Sequence, residues 1–156
     1  MPNKATSSPK ARAIGINHVA LTVSDIQEAL DFYSQLFTFE LRGRGDGHAF
    51  IDLGDQFIAL FEAQNTSVDQ NRHFGLVVDD KALVKQRLNA IGVEMLPGPF
   101  LDFRDPWGNR VQIVEYREIQ FTKAPQILAG MGLSHLKKSS EAIEALADKG
   151  MAEKKP

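Results

Sequence analysis

The chain has 156 residues, of which 43% are hydrophobic, so it can bury a core as one domain or as two small packed halves. Its 18 basic and 20 acidic residues are scattered and leave a net charge of −2, which argues against a nucleic-acid or membrane-surface partner. With no cysteine, disulfides and thiolate sites are excluded, and any metal is left to His, Asp and Glu.

The chain begins with a polar segment, MPNKATSSPKARA, which lacks the apolar stretch of a secretory signal. No apolar run in the sequence approaches the roughly 20 residues that a membrane helix needs. We therefore expect residues 1–13 to form a disordered lead, and the protein to be cytoplasmic.

A first module is predicted over residues 14–64. It opens with NHVALTV, an apolar strand with His18 at its start, and helical spacing of apolar residues follows from Ile26 to Phe37. A Gly-rich turn is expected at 43–47. Three short strands complete the module, at 39–42, 49–53 and 57–62.

A second module is predicted over residues 65–117, because the same order of elements recurs. It opens with RHFGLVV, a strand with His73 at its start, and a helix follows that ends at Gly92. The turn DPWGN precedes the last strand. The strands expected after the helix are 93–96, 100–103 and 110–115. Two such βαβββ halves predict a β-rich α+β fold.

Each half opens with a histidine and closes with a glutamate. The last strands read QFIALFE and NRVQIVE, and alternation places both closing glutamates among apolar neighbours. There an unpaired charge costs several kcal/mol or shifts the pKa of the carboxyl until it is neutral. Each residue alone also fits an ordinary solvated strand position, but a divalent cation would give both carboxylates a partner. The four candidate ligands are His18, Glu62, His73 and Glu115.

Residues 14–117 resemble the vicinal oxygen chelate superfamily, which includes glyoxalase I, fosfomycin-resistance enzymes, extradiol dioxygenases and bleomycin-binding proteins. The resemblance rests on HVALTVSDIQEALDFYSQLF, FIALFE, HFGLVVDD and DPWGNRVQIVEY. It implies two tandem βαβββ modules that form a curved, mostly antiparallel sheet around a central cavity, and a homodimer. By position it implies a metal bound by His18, Glu62, His73 and Glu115.

The resemblance implies a metal-dependent lyase or isomerase of the glyoxalase type, which chelates vicinal oxygens of a small substrate. Glu115 would be the catalytic base, with Glu62 the symmetric candidate, and the metal a Lewis acid. Nitrogen and oxygen ligands suit Zn, Ni, Co, Mn or Fe(II). An extradiol-type dioxygenase, a fosfomycin-type transferase and a non-catalytic small-molecule (antibiotic) binding protein remain open. For the transferase, basic contributors to an anion site would be Arg42, Arg44 and Arg104.

Residues 118–156 lie outside the repeat and are expected to form a C-terminal extension with a short helix. That helix is predicted within SSEAIEALADKG, and it ends at Gly150. The preceding segment could form a lid, lie along a partner subunit or pack on its own domain. His48 has no counterpart in the second half and is interpreted as a surface residue.

Overall fold

The computed structural model describes residue 16 and residues 18–152, so the lead predicted over 1–13 lies outside the described residues. In this described part, no helix is long and apolar enough to cross a membrane. Strand, helix and further strands follow one another twice, and a helical extension comes last. The predicted α+β class is confirmed.

The first module contains one helix and a four-stranded sheet, here called sheet 1. The strands run in the order β1-β4-β3-β2, and β1 is parallel to β4 while the other neighbours are antiparallel. The elements are β1 (His18–Val23), α1 (Ile26–Ser34), β2 (Leu41–Gly45), β3 (His48–Asp52) and β4 (Phe57–Glu62).

The turn between β2 and β3 is shorter than the sequence predicts. Gly43 and Gly45 are paired strand residues, and only Asp46 and Gly47 form the turn. A Cβ atom on Gly45 would lie 2.3 Å from Cε1 of His48, so glycine lets the imidazole ring lie directly on the β2 backbone. Glycine serves close packing at position 45, rather than a turn.

The second module has a three-stranded sheet, here called sheet 2, in the order β5-β7-β6. The strand predicted over 93–96 is reduced to a single bridge between Met95 and Phe103. Pro97 and Pro99 follow it, and because proline has no N–H to donate, a longer ladder cannot form there. The elements are β5 (Phe74–Val78), α2 (Lys81–Ala90), β6 (Leu101–Arg104) and β7 (Arg110–Glu115).

The helices α1 and α2 each begin after an aspartate, and each covers one face of the sheet in its module. Asp25 accepts a hydrogen bond from the Glu28 backbone N–H at 2.8 Å, and Asp80 accepts one from Leu83 at 2.9 Å. We call the side of each sheet that packs with its helix the helix face. Its buried residues form one core, which includes Leu21, Val23, Ile51, Ile58 and Leu60 from sheet 1, and Leu76, Phe103, Val111 and Ile113 from sheet 2.

A buried hydrogen-bond network joins the two modules at the DPWGN turn. The Tyr33 hydroxyl, on α1, donates to Asp105 Oδ2 at 2.8 Å. Asp105 Oδ1 accepts from the backbone N–H groups of Trp107 and Asn109, and Asn109 Nδ2 donates to the Thr22 carbonyl at 3.0 Å. The first module and the strand that carries Arg110–Glu115 therefore hold a fixed relation to each other.

Burial dominates the protonation equilibria of this network. It raises the pKa of Asp105, although the hydrogen bonds from Asn109 and Tyr33 favour the charged carboxylate. It also raises the pKa of Tyr33 well above the ordinary value, and the neighbouring Asp105 charge adds to that effect. Tyr33 is therefore a neutral donor at physiological pH.

The C-terminal extension contains α3 (Pro125–Gly130) and α4 (Ser140–Ala147) and contacts its own chain. Lys123 forms an ion pair with Asp55 of the first module. The Lys138 ammonium donates to the carbonyls of Tyr116 at 2.6 Å, Ile119 at 2.9 Å and Phe121. Burial lowers the pKa of Lys138 to about 8. Of the three arrangements open from the sequence, the described contacts correspond to packing on its own domain.

Candidate functional site

In sheet 1, His18 and Glu62 lie at opposite ends and on opposite faces. The parallel register pairs His18 with Phe57 and Val23 with Glu62. Paired residues share a face and successive residues alternate, so Glu62 lies on the side of Val23, away from His18. Five residues at about 3.3 Å each separate the two levels by about 16 Å. These two side chains of one sheet therefore do not meet at one ion.

In sheet 2, His73 and Glu115 also lie on opposite faces. Val78 pairs with Glu115, whereas Gly75 pairs with Gln112. By alternation His73 shares the face of Gly75 and Gln112, and Glu115 shares the helix face with the buried Ile113. The Glu115 carboxylate, predicted as base and ligand, therefore lies on the face opposite His73 within this sheet.

The four predicted ligands do not come together in one copy of the chain. Across residues 18–152, no group of three His, Asp or Glu side chains could hold a metal ion. The physical reason is the alternation of side chains along a strand. Each closing glutamate lies an odd number of residues along its strand from the position opposite the histidine, so the two side chains fall on different faces. We call the side of each sheet that bears His18 or His73 its histidine face.

Gln112 is the side chain that the register brings onto the histidine face beside His73. It lies one diagonal step away, a separation of roughly 7–8 Å between Cα atoms, within reach of a long side chain. The sequence pattern did not single out Gln112, because its side chain is an amide and the predicted ligands were carboxylates. The apolar residues Val111 and Ile113 on either side were a signal, since they mark Gln112 as facing away from the core.

The orientation of the His73 ring suits a ligand. Its Nδ1 atom lies 3.0 Å from the Asn71 carbonyl oxygen. A carbonyl oxygen only accepts, so this hydrogen bond requires the proton on Nδ1 and leaves Nε2 of the neutral ring as the acceptor. Metal-binding histidines are commonly fixed in this way, by a hydrogen bond from the ring nitrogen that does not bind the metal.

The carboxylate of Asp102 lies on the histidine face of sheet 2, but it is already paired. Asp102 is 3% exposed and pairs across the sheet with Gln112. Its Oδ2 accepts from Arg110 Nε at 2.9 Å and Nη2 at 2.5 Å, and its Oδ1 has no hydrogen-bond partner among the described residues. Because Arg110 binds Oδ2 and Oδ1 is buried, neither oxygen of Asp102 is exposed to a substrate bound on this face.

A cavity of about 340 Å³ lies beside His73, where the modules meet. That volume falls within the range of small-molecule sites, about 300–1,000 Å³. One wall is β1 from Val19 to Thr22, and the rest is mainly polar. The other lining residues are Asn65, Ser67, Asp69, Arg72, His73, Phe74 and Asn109.

The histidine face of sheet 1 is a row of aromatic rings. His18 stacks on Phe57 with ring centroids 4.7 Å apart and planes 12° apart. Phe57 contacts Phe50 at 5.4 Å, and Phe50 contacts His48 at 5.3 Å. Phe61 continues the row and is 46% exposed. The Arg42 guanidinium lies over the Phe57 ring, 4.7 Å from its centroid, so the exposed end of the row, at Phe61, is the candidate binding surface.

The arginines considered for an anionic substrate all hydrogen-bond to the chain itself. Arg42 Nη2 donates to the Gly54 and Gln56 carbonyls at 3.0 and 3.1 Å. Arg44 donates to Gln27 Oε1 at 2.8 Å, and Arg104 to the Asp69 carbonyl at 3.0 Å. They do not form a shared basic cluster of the kind a phosphonate would need.

Among curated proteins, the metallothiol transferase FosB of Staphylococcus saprophyticus is 29% identical over 96 residues, which cover 58% of this chain. The match spans 64% of that FosB, just under two thirds of its length. The glutathione transferase FosA of Serratia marcescens is 28% identical over 110 residues, covering 63% of this chain and 78% of FosA.

Solved structures share the fold. The lactoylglutathione lyase from Agrobacterium tumefaciens is 27% identical, with a TM-score of 0.54 over 68% of this chain and 96% of that one. The fosfomycin resistance protein FosX from Listeria monocytogenes, 19% identical, has a TM-score of 0.57 over 67% and 94% and shows the fold alone.

A family model described as Glyoxalase/Bleomycin resistance protein/Dioxygenase superfamily matches residues 15–113, well over half of the chain. This match covers both sheets except for the end of β7, and it confirms the resemblance drawn from the strand and turn motifs. The chain belongs to the Glyoxalase/Bleomycin resistance protein/Dioxygenase superfamily.

Proposed function

We propose that the chain is a metal-dependent enzyme that binds a small, oxygen-bearing substrate between the histidine faces of sheets 1 and 2. The observation that carries the proposal is the His73 ring, whose Nδ1 is fixed by the Asn71 carbonyl while Gln112 lies on the same face. One relative, FosB of Staphylococcus saprophyticus, is 29% identical and is named a metallothiol transferase.

In this proposal the ligands are His18 and His73, and Gln112 adds a carboxamide oxygen. Two imidazoles and an oxygen donor suit Zn, Ni, Co, Mn or Fe(II). When bound, such an ion would act as a Lewis acid on substrate oxygens. The chain's own contribution is to fix the imidazole orientation and to offer the aromatic rings of sheet 1 to the apolar part of the substrate.

The reaction class that we favour is group transfer. A lyase or isomerase of the glyoxalase type needs a carboxylate base within hydrogen-bond reach of the substrate proton. Glu62 and Glu115 lie on helix faces, and Asp102 is bound to Arg110. In a transfer reaction the co-substrate brings the nucleophile, which forms a bond to substrate carbon as a carbon–oxygen bond breaks; its proton can pass to the oxygen released, so no carboxylate of the chain is required. The names of FosA and FosB describe transferases.

We further propose that the site is shared between two copies in a homodimer. Within one copy the described residues provide no cluster of three ligands, and Phe61 on the aromatic face of sheet 1 is 46% exposed. If that face meets the histidine face of sheet 2 from a second copy, His18 of one chain approaches His73 of the other. The dimer then contains two equivalent sites.

Co-expression of two defective copies tests both parts of this proposal. We expect neither the His18→Ala chain nor the His73→Ala chain to bind metal on its own. Together they would form a heterodimer with one intact site and one site in which both histidines are replaced. We expect about half of the wild-type metal content in the purified heterodimer. A heterodimer that binds no metal would contradict a shared site, and metal retained by both single variants would contradict the ligand assignment.

A non-catalytic small-molecule binding protein is the second candidate. The aromatic face of sheet 1 favours it, and so does a carboxamide, a weaker ligand than a carboxylate, at position 112. Metal analysis of the purified wild-type chain separates the candidates. Protein that contains no metal, and takes up none from a millimolar Mn²⁺ or Zn²⁺ solution, would replace the enzyme proposal with this one.

A further inference from the structure

His48 lies within the aromatic row of sheet 1, although the sequence suggested an ordinary surface position. Its ring contacts Phe50 at 5.3 Å and Phe61 at 6.4 Å between centroids. On the third side the ring lies against Gly45, where a Cβ atom would come within 2.3 Å of Cε1 and 2.7 Å of Nε2. The imidazole is therefore held in one place by its neighbours.

A hydrogen bond fixes which nitrogen of His48 is available. Nδ1 lies 3.1 Å from the Asp46 carbonyl oxygen, so the neutral ring carries its proton on Nδ1. This leaves Nε2 with a lone pair, and no hydrogen bond to Nε2 is found among the described residues. The arrangement repeats that of His73 with Asn71, two residues before the ring in both cases.

His48 is too far from His18 to share its ion. Phe57 pairs with His18, and Phe61, four residues further along β4, pairs with His48. Four residues along the strand and two strand spacings across the sheet separate the histidines by about 16 Å. His48 therefore marks a second position on the same face, at the far end of the aromatic row.

We propose that His48, Phe50 and Phe61 form a subsite for a flat, aromatic group that bears a hydroxyl, as in a phenol. The ring of the ligand packs on the two phenylalanines, and its O–H donates to Nε2 of His48. This inference rests on the proposed function, because the aromatic group would be the part of that substrate that lies farthest from His18 on this face. His48 selects the ligand by a hydrogen bond and takes no part in bond breaking.

The test compares p-cresol with its methyl ether, 4-methylanisole, which has the same ring but no hydroxyl donor. Dissociation constants are measured by NMR titration of the full chain. We expect the wild type to prefer p-cresol by about two- to tenfold, the range of one net hydrogen bond. In His48→Phe, which keeps a flat ring but removes the acceptor, the preference should disappear.

Two further variants sharpen the result. His135→Phe makes the same change at an exposed histidine of the extension and should leave the preference intact. Gly45→Ala should reduce the preference, because the new methyl group displaces the His48 ring. Equal binding of the two compounds by the wild type, or a preference that survives in His48→Phe, would overturn the inference. Metal content of the same preparations tests the proposed function separately.

Discussion

Replacement of Tyr33 by phenylalanine tests whether the buried network joins the two modules. The change removes one hydroxyl from a side chain that is 1% exposed and leaves its ring packing in place. The lost bond is a hydrogen bond to a buried carboxyl, Asp105 Oδ2, at 2.8 Å. Hydrogen bonds to charged groups contribute about 1.5–3 kcal/mol. Asp105 keeps its donors from Trp107 and Asn109, so we expect about 1.5–2 kcal/mol, near the lower end of that range.

The loss should depend on pH in a defined direction. Burial raises the pKa of Asp105, so its contribution to stability is fully present below the unfolded pKa and is lost as the pH rises through the folded pKa. The Tyr33 hydroxyl favours the charged form and partly offsets that loss. Tyr33→Phe raises the Asp105 pKa further, and therefore costs more at pH 7.5 than at pH 4.

Urea denaturation at both pH values measures the effect, and a thermal melt should show a fall in Tm of roughly 3–8 °C at neutral pH. Tyr116→Phe is the matched control, since Tyr116 is 5% exposed and its hydroxyl makes no hydrogen bond within residues 18–152. Equal losses in the two variants, or a larger loss for Tyr33→Phe at pH 4, would show that the hydrogen bond to Asp105 does not stabilise the contact between the modules.

Three further changes, each measured by chemical denaturation, test other packed features. Lys138→Met should lower the free energy of unfolding by about 1–3 kcal/mol, because three carbonyl oxygens lose their donor; no loss would show that the extension is held by other contacts. Asp102→Ala should cost about 2–3 kcal/mol, less than breaking a fully buried pair, since the Arg110 side chain is 26% exposed; a neutral result would show the pair to be dispensable. Gly108→Ala should cost more than about 2 kcal/mol, since φ is +89° and its Cβ would lie 2.7 Å from the Val68 backbone; a smaller cost would mean that the turn adapts.

The periodic elements could be predicted from the sequence because their signals are local. Alternating apolar residues identify β1 and β7, and the 3.6-residue spacing identifies α1. The prediction of a strand over 93–96 was wrong, because Pro97 and Pro99 limit the pairing there to a single bridge. In β2, Gly43 and Gly45 look like turn residues, yet they belong to the strand, where Gly45 makes room for the His48 ring.

The candidate site could be predicted only in part, because a site depends on pairing between distant strands. Alternation along β7 already separated Gln112 from Glu115, but it did not say which of the two shares a face with His73. That depends on the register of β5 with β7, which one residue of slip would reverse. The sequence therefore indicates the histidines as candidates, while the face of each closing glutamate is known only from the strand register.

We assign the metal ligands to the histidine faces of the two sheets, and Mn²⁺ affinity measured by calorimetry checks this assignment. Gln112→Glu places a carboxylate beside His73 and should tighten binding by about tenfold, because a charged oxygen replaces a neutral one. Glu115→Gln and Glu62→Gln should leave the affinity within about twofold of the wild type, since both side chains point to the helix faces. Loss of Mn²⁺ binding in Glu115→Gln, with no gain in Gln112→Glu, would contradict this assignment.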